Sequence, residues 1–119
     1  RLICLFGCGG DRDRTKRPIM GGIARELADL VVVTSDNPRT ESPEAIIADI
    51  TPGADRAGKP YEVVIDRIEA IRHAMTIAKK DDIIVLAGKG HETYQEIMGV
   101  KHHMDEREIV ADILKEMRG

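Results

Sequence analysis

The 119-residue chain contains no tryptophan, and aromatic side chains make up only 3% of it. Its core therefore has to be built mainly from Val, Ile, Leu, Ala and Met. An excess of positive charge is also lacking. The net charge of -3 gives no electrostatic footprint for nucleic acid. No apolar run approaches the roughly 20 residues of a membrane span, and no signal-peptide pattern is present. The expectation is a cytoplasmic protein with neither a nucleic-acid nor a membrane partner. Cysteine is scarce: Cys4 and Cys8 are the two in the chain. Placed along one extended segment, they stand too far apart to bridge. Free thiols suit a reducing compartment. The first residue is Arg1 and a strand begins at once, so the chain reads as one domain, residues 1–119, cut from a longer protein.

What is present is a regular alternation. Short apolar runs at 2–6, 30–34, 61–65 and 81–87 read as buried strands. Helices are expected between them. The first, over 19–27, opens behind Pro18 with Ile19, Met20, Ile23, Ala24 and Leu27 on its core face. The second has Ser42 as N-cap and Pro43 at N1, and ends near Pro52-Gly53. A third follows Asp66 as cap, with Ile68, Ile71, Met75 and Ala78 at helical spacing. A last helix is capped by Asp105 and carries Ile109, Val110, Ile113 and Leu114. Residues 94–98 and 101–104 flank Gly99-Val100, which reads as a hairpin turn. Strand–helix alternation predicts an α/β fold, a three-layer Rossmann-like sandwich with a mostly parallel sheet and an antiparallel edge hairpin. Residues 54–59 read as the most mobile loop.

In a parallel sheet the loops after the strands gather on one rim, where ligands bind. Three of these loops are chemically dense. Residues 7–17 are glycine-rich, then charged, and lead into a helix N-terminus. Gly7-Cys8-Gly9 begins a dinucleotide fingerprint, but Arg12 stands at the third glycine position. A stand-alone dinucleotide-binding module is therefore a weaker reading, as is a non-catalytic regulatory domain. The second loop, Asp36-Asn37-Pro38-Arg39, is a stiff turn behind the strand Leu30-Val31-Val32-Val33. Pro38 stops the strand and holds Asn37 extended, and Arg39 is a planar fork suited to a carboxylate or phosphate. A simple Asx-type turn with Arg39 solvated is the alternative. The third loop, Gly88-Lys89-Gly90-His91-Glu92, resembles a phosphate loop but lacks the Walker pattern. His102 and His103 are adjacent on a strand and face opposite sides, so no metal site is expected from them. If the three strands are near neighbours, Arg12, Arg39 and Glu92 converge. Two cationic forks and one carboxylate complement an amino acid with extra charged ends.

Gly7-Cys8-Gly9-Gly10-Asp11-Arg12-Asp13, Lys16-Arg17-Pro18, Asp36-Asn37-Pro38-Arg39-Thr40 and Gly88-Lys89-Gly90-His91-Glu92 together resemble the C-terminal domain of the Mur ligases. The resemblance spans essentially the whole chain, and is strongest to the members that add meso-diaminopimelate to UDP-MurNAc-L-Ala-D-Glu in peptidoglycan synthesis. It implies a three-domain, ATP- and Mg2+-dependent enzyme. A carboxylate is activated as an acyl phosphate and attacked by the incoming amine, and this domain positions that amine. The phosphate loop, the Mg2+ ligands and the UDP-MurNAc site belong to the other domains, so the isolated domain is expected to be inactive and to hold no catalytic residue of its own. By the same resemblance, Arg39 and Asn37 hold the distal carboxylate of diaminopimelate. Glu92 and the Gly88 backbone take the distal ammonium, and Arg12 binds a carboxylate. Asp36 and Pro38 shape the turn. Asp11 and Lys16 face ATP when the domains close.

Overall fold

The computed structural model describes residues 1–57, 60–89 and 92–118. The elements run β1 (Leu2–Phe6), α1 (Lys16–Leu27), β2 (Leu30–Val33), α2 (Pro43–Ala57), β3 (Tyr61–Val63), α3 (Arg67–Ile77), β4 (Ile83–Leu86), β5 (Tyr94–Ile97), β6 (Val100–His103) and α4 (Glu106–Arg118). The first four strands form a parallel sheet in the order β3-β2-β1-β4. The chain thus starts in the middle of the sheet, steps outward twice, and returns to the far side of β1. Right-handed crossovers place α1 and α2 on one face and α3 on the other. Two buried clusters mark the resulting layers. One gathers Phe6, Val31 and Val33 against Ile46, Ile47 and Ile50 of α2. The other gathers Ile3, Leu5 and Val32 against Ala70, Ile71 and Ala74 of α3 and Ile113 of α4. Val31, Val32 and Val33 are fully buried, as a β-branched run covered on both faces should be. Among the described residues, no helix is long and apolar enough to cross a membrane.

The hairpin lies where the sequence places it, but it forms a two-stranded sheet of its own rather than an edge of the main sheet. Its turn is one residue earlier than expected. Ile97 pairs with Val100, and Met98 (φ 50°) and Gly99 (φ 78°) make the turn. Positive φ at both central residues matches the right-handed strand twist, and Gly99 adopts it without strain.

Two helices depart from expectation. The helix α2 does not end at Pro52 but continues to Ala57. An interior proline costs roughly 3 kcal/mol. The turn beyond it is retained because Ala54 is fully buried and its carbonyl accepts a hydrogen bond from the Arg25 Nη1. Arg56 Nε donates back to the Pro52 carbonyl at 3.1 Å. Residues 54–57 of the expected loop are therefore helical, while 58 and 59 lie outside the described residues. The helix α1 turns its other side inward. Arg17, Gly21 and Arg25 are buried, whereas Ile19, Met20, Ile23 and Leu27 are 60%, 43%, 50% and 75% exposed. The cause is a close crossing with α2. A Cβ at Gly53 would fall far inside contact distance of the Pro18 carbonyl, and one at Gly21 would press on Ile50. Only the glycine face of α1 allows the helices to approach so closely.

Candidate functional site

The strand order makes β2, β1 and β4 neighbours, so the loops that follow them do share one rim. The chain reverses direction across the sheet between β1 and β4, the usual place for a binding crevice. A cavity of about 410 Å³ opens there, lined by Gly7, Gly9, Arg12, Lys16, Asp36 and Gly88, among others.

The turn at residues 36–39 is clamped from two sides. On one side Gly10 N donates to the Asn37 carbonyl at 2.7 Å, and Gly10 packs so tightly on the Pro38 carbonyl that a Cβ would collide with it. On the other, Arg39 N donates to Glu96 O at 3.0 Å and Met98 N donates to Arg39 O at 2.7 Å, which binds the turn to β5. Gln95 Nε2 adds a bond to the Asp36 carbonyl at 2.7 Å. This double clamp holds Arg39 at φ 54°, a conformation non-glycine residues rarely adopt.

The Arg39 guanidinium donates from Nη1 to Gly10 O at 3.0 Å and approaches Glu96 at 3.7 Å. Its Nη2 makes no hydrogen bond among the described residues. Arg12 is exposed, with one bond, to the Asp11 carbonyl. Both arginine side chains pass close to Gly9: a Cβ there would lie 2.9 Å from Arg39 Nη1 and 3.6 Å from Arg12 Cγ. The Glu92 carboxylate lies beside the turn, its Oε1 3.5 Å from Asn37 Nδ2 and its Oε2 accepting from the Tyr94 hydroxyl at 3.3 Å. Gly88 sits at φ 105° beside the Asp36 carboxylate.

Other expected residues are placed differently. Asn37 is only 2% exposed, and its Oδ1 already accepts from Lys89 Nζ and Glu96 N, each at 2.9 Å. It is a bridge within the rim more than an open ligand group. Asp11 spends its carboxylate on the Thr40 hydroxyl at 2.6 Å, tying the first loop to the second. Lys16 is exposed at the cavity edge beside Asp13. Gly90 and His91 lie outside the described residues.

Sequence reasoning missed the buried cations. Lys89 is completely enclosed, 3.2 Å from Asp36 Oδ1, close enough to pair in charge though off the direction a hydrogen bond requires. Arg67, on α3, donates to Ser35 O and Ala87 O at 3.0 Å each and to Glu106 at 2.9 Å, closing the ends of β2 and β4 from beneath. Arg17 donates to Glu41, Asp49 and the Gly9 carbonyl. No local pattern marks these residues. Arg17 stands in a run with Arg12, Asp13, Arg14 and Lys16 that looks like a solvated face.

The Arg17 network gives a pH dependence. Its hydrogen bond, then the Asp11 N–H, hold the Glu41 carboxyl at about 2 instead of 4.5. Bonds from Arg14 and then Arg17 lower Asp49 as well. A carboxyl lowered on folding stabilises fully above its unfolded pKa and ceases to as pH falls through the folded one. Thermal unfolding should therefore shift to lower temperature as pH drops from 4.5 toward 2. In Glu41→Gln, part of that slope should vanish in a circular-dichroism melting series. Cys8, buried beside this network, is pushed up to about 11 by desolvation, against the pull of Arg17. Both cysteines are free.

Residues 1–90 match the family described as "Mur ligase, glutamate ligase domain". The chain belongs to the Mur ligase family. Curated Mur ligases named "UDP-N-acetylmuramoyl-L-alanyl-D-glutamate--2,6-diaminopimelate ligase" are similar over nearly its whole length. One from Clostridioides difficile is 55% identical over 117 residues, covering 98% of the chain. One from Clostridium acetobutylicum, bearing that name with the number 1, is 60% identical over 118 residues, again 98% of the chain. One from Gloeobacter violaceus is 58% identical over 99% of it. A solved structure of a Mur ligase of that name superposes with a TM-score of 0.94 at 48% identity, covering 99% of the chain and 24% of its own. The chain spans 24% of the length of each of these curated relatives.

Proposed function

We propose that this chain is the amino-acid-binding, C-terminal domain of a three-domain ligase that adds meso-diaminopimelate to UDP-MurNAc-L-Ala-D-Glu. The observation that carries the reading is that the side chains of Arg39 and Arg12 both pass Gly9, while Glu92 stands 3.5 Å from Asn37, in the same turn as Arg39. The two guanidinium groups suit carboxylates, and Glu92 with the Gly88 backbone suits an ammonium. Diaminopimelate carries both kinds of charge at its distal end, whereas lysine carries only the ammonium. The names of the similar ligases support the same substrate, and the 0.94 superposition supports the same fold.

ATP and Mg2+ belong to the rest of the longer enzyme in this proposal. The chain has no Gly-Lys-Ser/Thr phosphate loop. When bound, ATP supplies activation of the acceptor carboxylate. This chain's residues orient the attacking amine, whose alignment can contribute several kcal/mol to the rate. In this reading Lys16, exposed on the cavity rim, adds positive charge near phosphates on domain closure. Bacterial cytoplasm is the compartment this synthesis implies.

Isothermal titration of the full ligase with meso-diaminopimelate and with L-lysine tests the proposal. Diaminopimelate should bind more tightly by two or more orders of magnitude, as expected for a site whose polar groups go unpaired with the wrong ligand. Equal affinity would overturn it.

A further inference from the structure

We propose that Lys89 is a positioning residue for the amino-acid site, setting the orientation of Asn37 and through it the place of Glu92. The proposal rests on the reading of the site given above. Lys89 is a buried cation, with its side chain fully enclosed at the centre of the rim. Burying an ammonium is costly unless its donors and charge are matched. Here they are matched by groups from two stretches, residues 36–37 and 92–94. Nζ donates to Asn37 Oδ1 and to Tyr94 O, at 2.9 Å each. It also lies 3.2 Å from Asp36 Oδ1 and 3.8 Å from Glu92 Oε1.

The consequence falls on the Asn37 side chain. An ammonium and a backbone N–H are donors only, and both Lys89 Nζ and Glu96 N point at the same end of the Asn37 amide. That end must be the oxygen. The flipped amide would set its own N–H groups against two donors. Nδ2 is thereby forced toward Glu92 Oε1. Lys89 acts on Glu92 by a second route, since it holds the carbonyl of Tyr94, the residue whose hydroxyl bonds Glu92 Oε2. Its charge further separates Asp36 from Glu92, two carboxylates that would otherwise repel across the same small space. One ammonium thus sets the geometry of the carboxylate proposed to receive the distal ammonium of diaminopimelate, without touching that ligand.

The test uses the full ligase. Lys89→Met leaves the half-buried Asp36 without its counter-charge, and so carries a folding risk. Lys89→Met combined with Asp36→Asn removes both charges together and restores balance, yet Asn37 Oδ1 still lacks its lysine donor. In each variant the KM for diaminopimelate should rise on the order of 100-fold, the scale of a roughly 1 Å misplacement. The KM values for ATP and for the nucleotide dipeptide should stay at wild-type level. A wild-type KM for diaminopimelate in the charge-balanced variant overturns the proposal, as does an equal rise in all three KM values, which marks a merely structural role. Should neither variant fold, nuclear magnetic resonance of the wild-type protein decides between the outcomes. The Asn37 Nδ2 protons should exchange slowly and shift on adding diaminopimelate, and fast exchange without a shift overturns the inference. Failure of the functional reading itself shows separately, as a wild-type ligase that does not use diaminopimelate.

Discussion

Arg39→Ala in the full ligase should raise the KM for meso-diaminopimelate by about 30-fold to several thousand-fold and leave the KM for ATP unmoved. The range follows from the roughly 2–5 kcal/mol lost when one member of a desolvated charge pair is truncated, at about 1.4 kcal/mol per factor of ten. Arg39 sits at the upper end of what a surface residue could deliver because the rim holds it rigidly. Its backbone N–H is bonded to Glu96 of β5 and its carbonyl to Met98 just beyond that strand, and one guanidinium nitrogen is tied to Gly10 O. The fork is oriented before the ligand arrives. Alanine at φ 54° carries much the same backbone strain as arginine there, so the effect should be on binding more than on folding. Arg39→Lys keeps the charge but loses the fork, and should recover only part of the affinity. Steady-state kinetics with diaminopimelate varied is the measurement, and an unchanged KM in Arg39→Ala would remove Arg39 from the site.

Gly53→Ala should destabilise the chain by about 3 kcal/mol or more. That is a large share of the roughly 5–15 kcal/mol that holds a domain together, and corresponds to a melting shift of more than about 10 °C. Helix propensity alone predicts the opposite sign, since alanine is favoured over glycine by about 1 kcal/mol in a helix interior. Packing wins here because the added methyl meets the Pro18 carbonyl and its Cα, which are backbone and cannot swing away. Gly22→Ala is the control. Its Cβ would stand 3.4 Å from the Gly53 carbonyl, an ordinary contact, so that variant should melt at or slightly above the wild-type temperature. Thermal unfolding followed by circular dichroism separates the two. A Gly53→Ala protein as stable as wild type would mean that the helices can part without cost.

The sequence made the fold legible because each strand announces itself. Leu30-Val31-Val32-Val33 is β-branched and buried on both sides, and Asp66 caps α3 by accepting from Glu69 N at 3.0 Å, as its position suggests. The rim was legible for the same reason: a proline, several glycines and charges directly follow strands. What local pattern could not reveal is which side of an amphipathic helix a neighbour will take. The apolar stripe of α1 looked like the core face, yet the glycines opposite it determine how close α2 can come. Nor does a one-dimensional pattern distinguish a buried lysine or arginine from a solvated one. Lys89 and Arg67 are enclosed because strand ends 20 to 52 residues away supply carbonyls and polar side chains to them, and that pairing exists only in three dimensions.

The side of α1 left facing outward has a thermodynamic meaning. Ile19, Met20, Ile23 and Leu27 are exposed, and so are Ile83 and Val85 of β4, whose register with Leu2 and Cys4 sets them on one face of the sheet. This surface is hydrated before the chain unfolds and gains little new hydration afterwards. The heat-capacity increment of unfolding should therefore fall below the average of about 12–15 cal/mol/K per residue. A smaller increment flattens the stability curve, so the domain's marginal stability varies slowly with temperature on either side of its maximum.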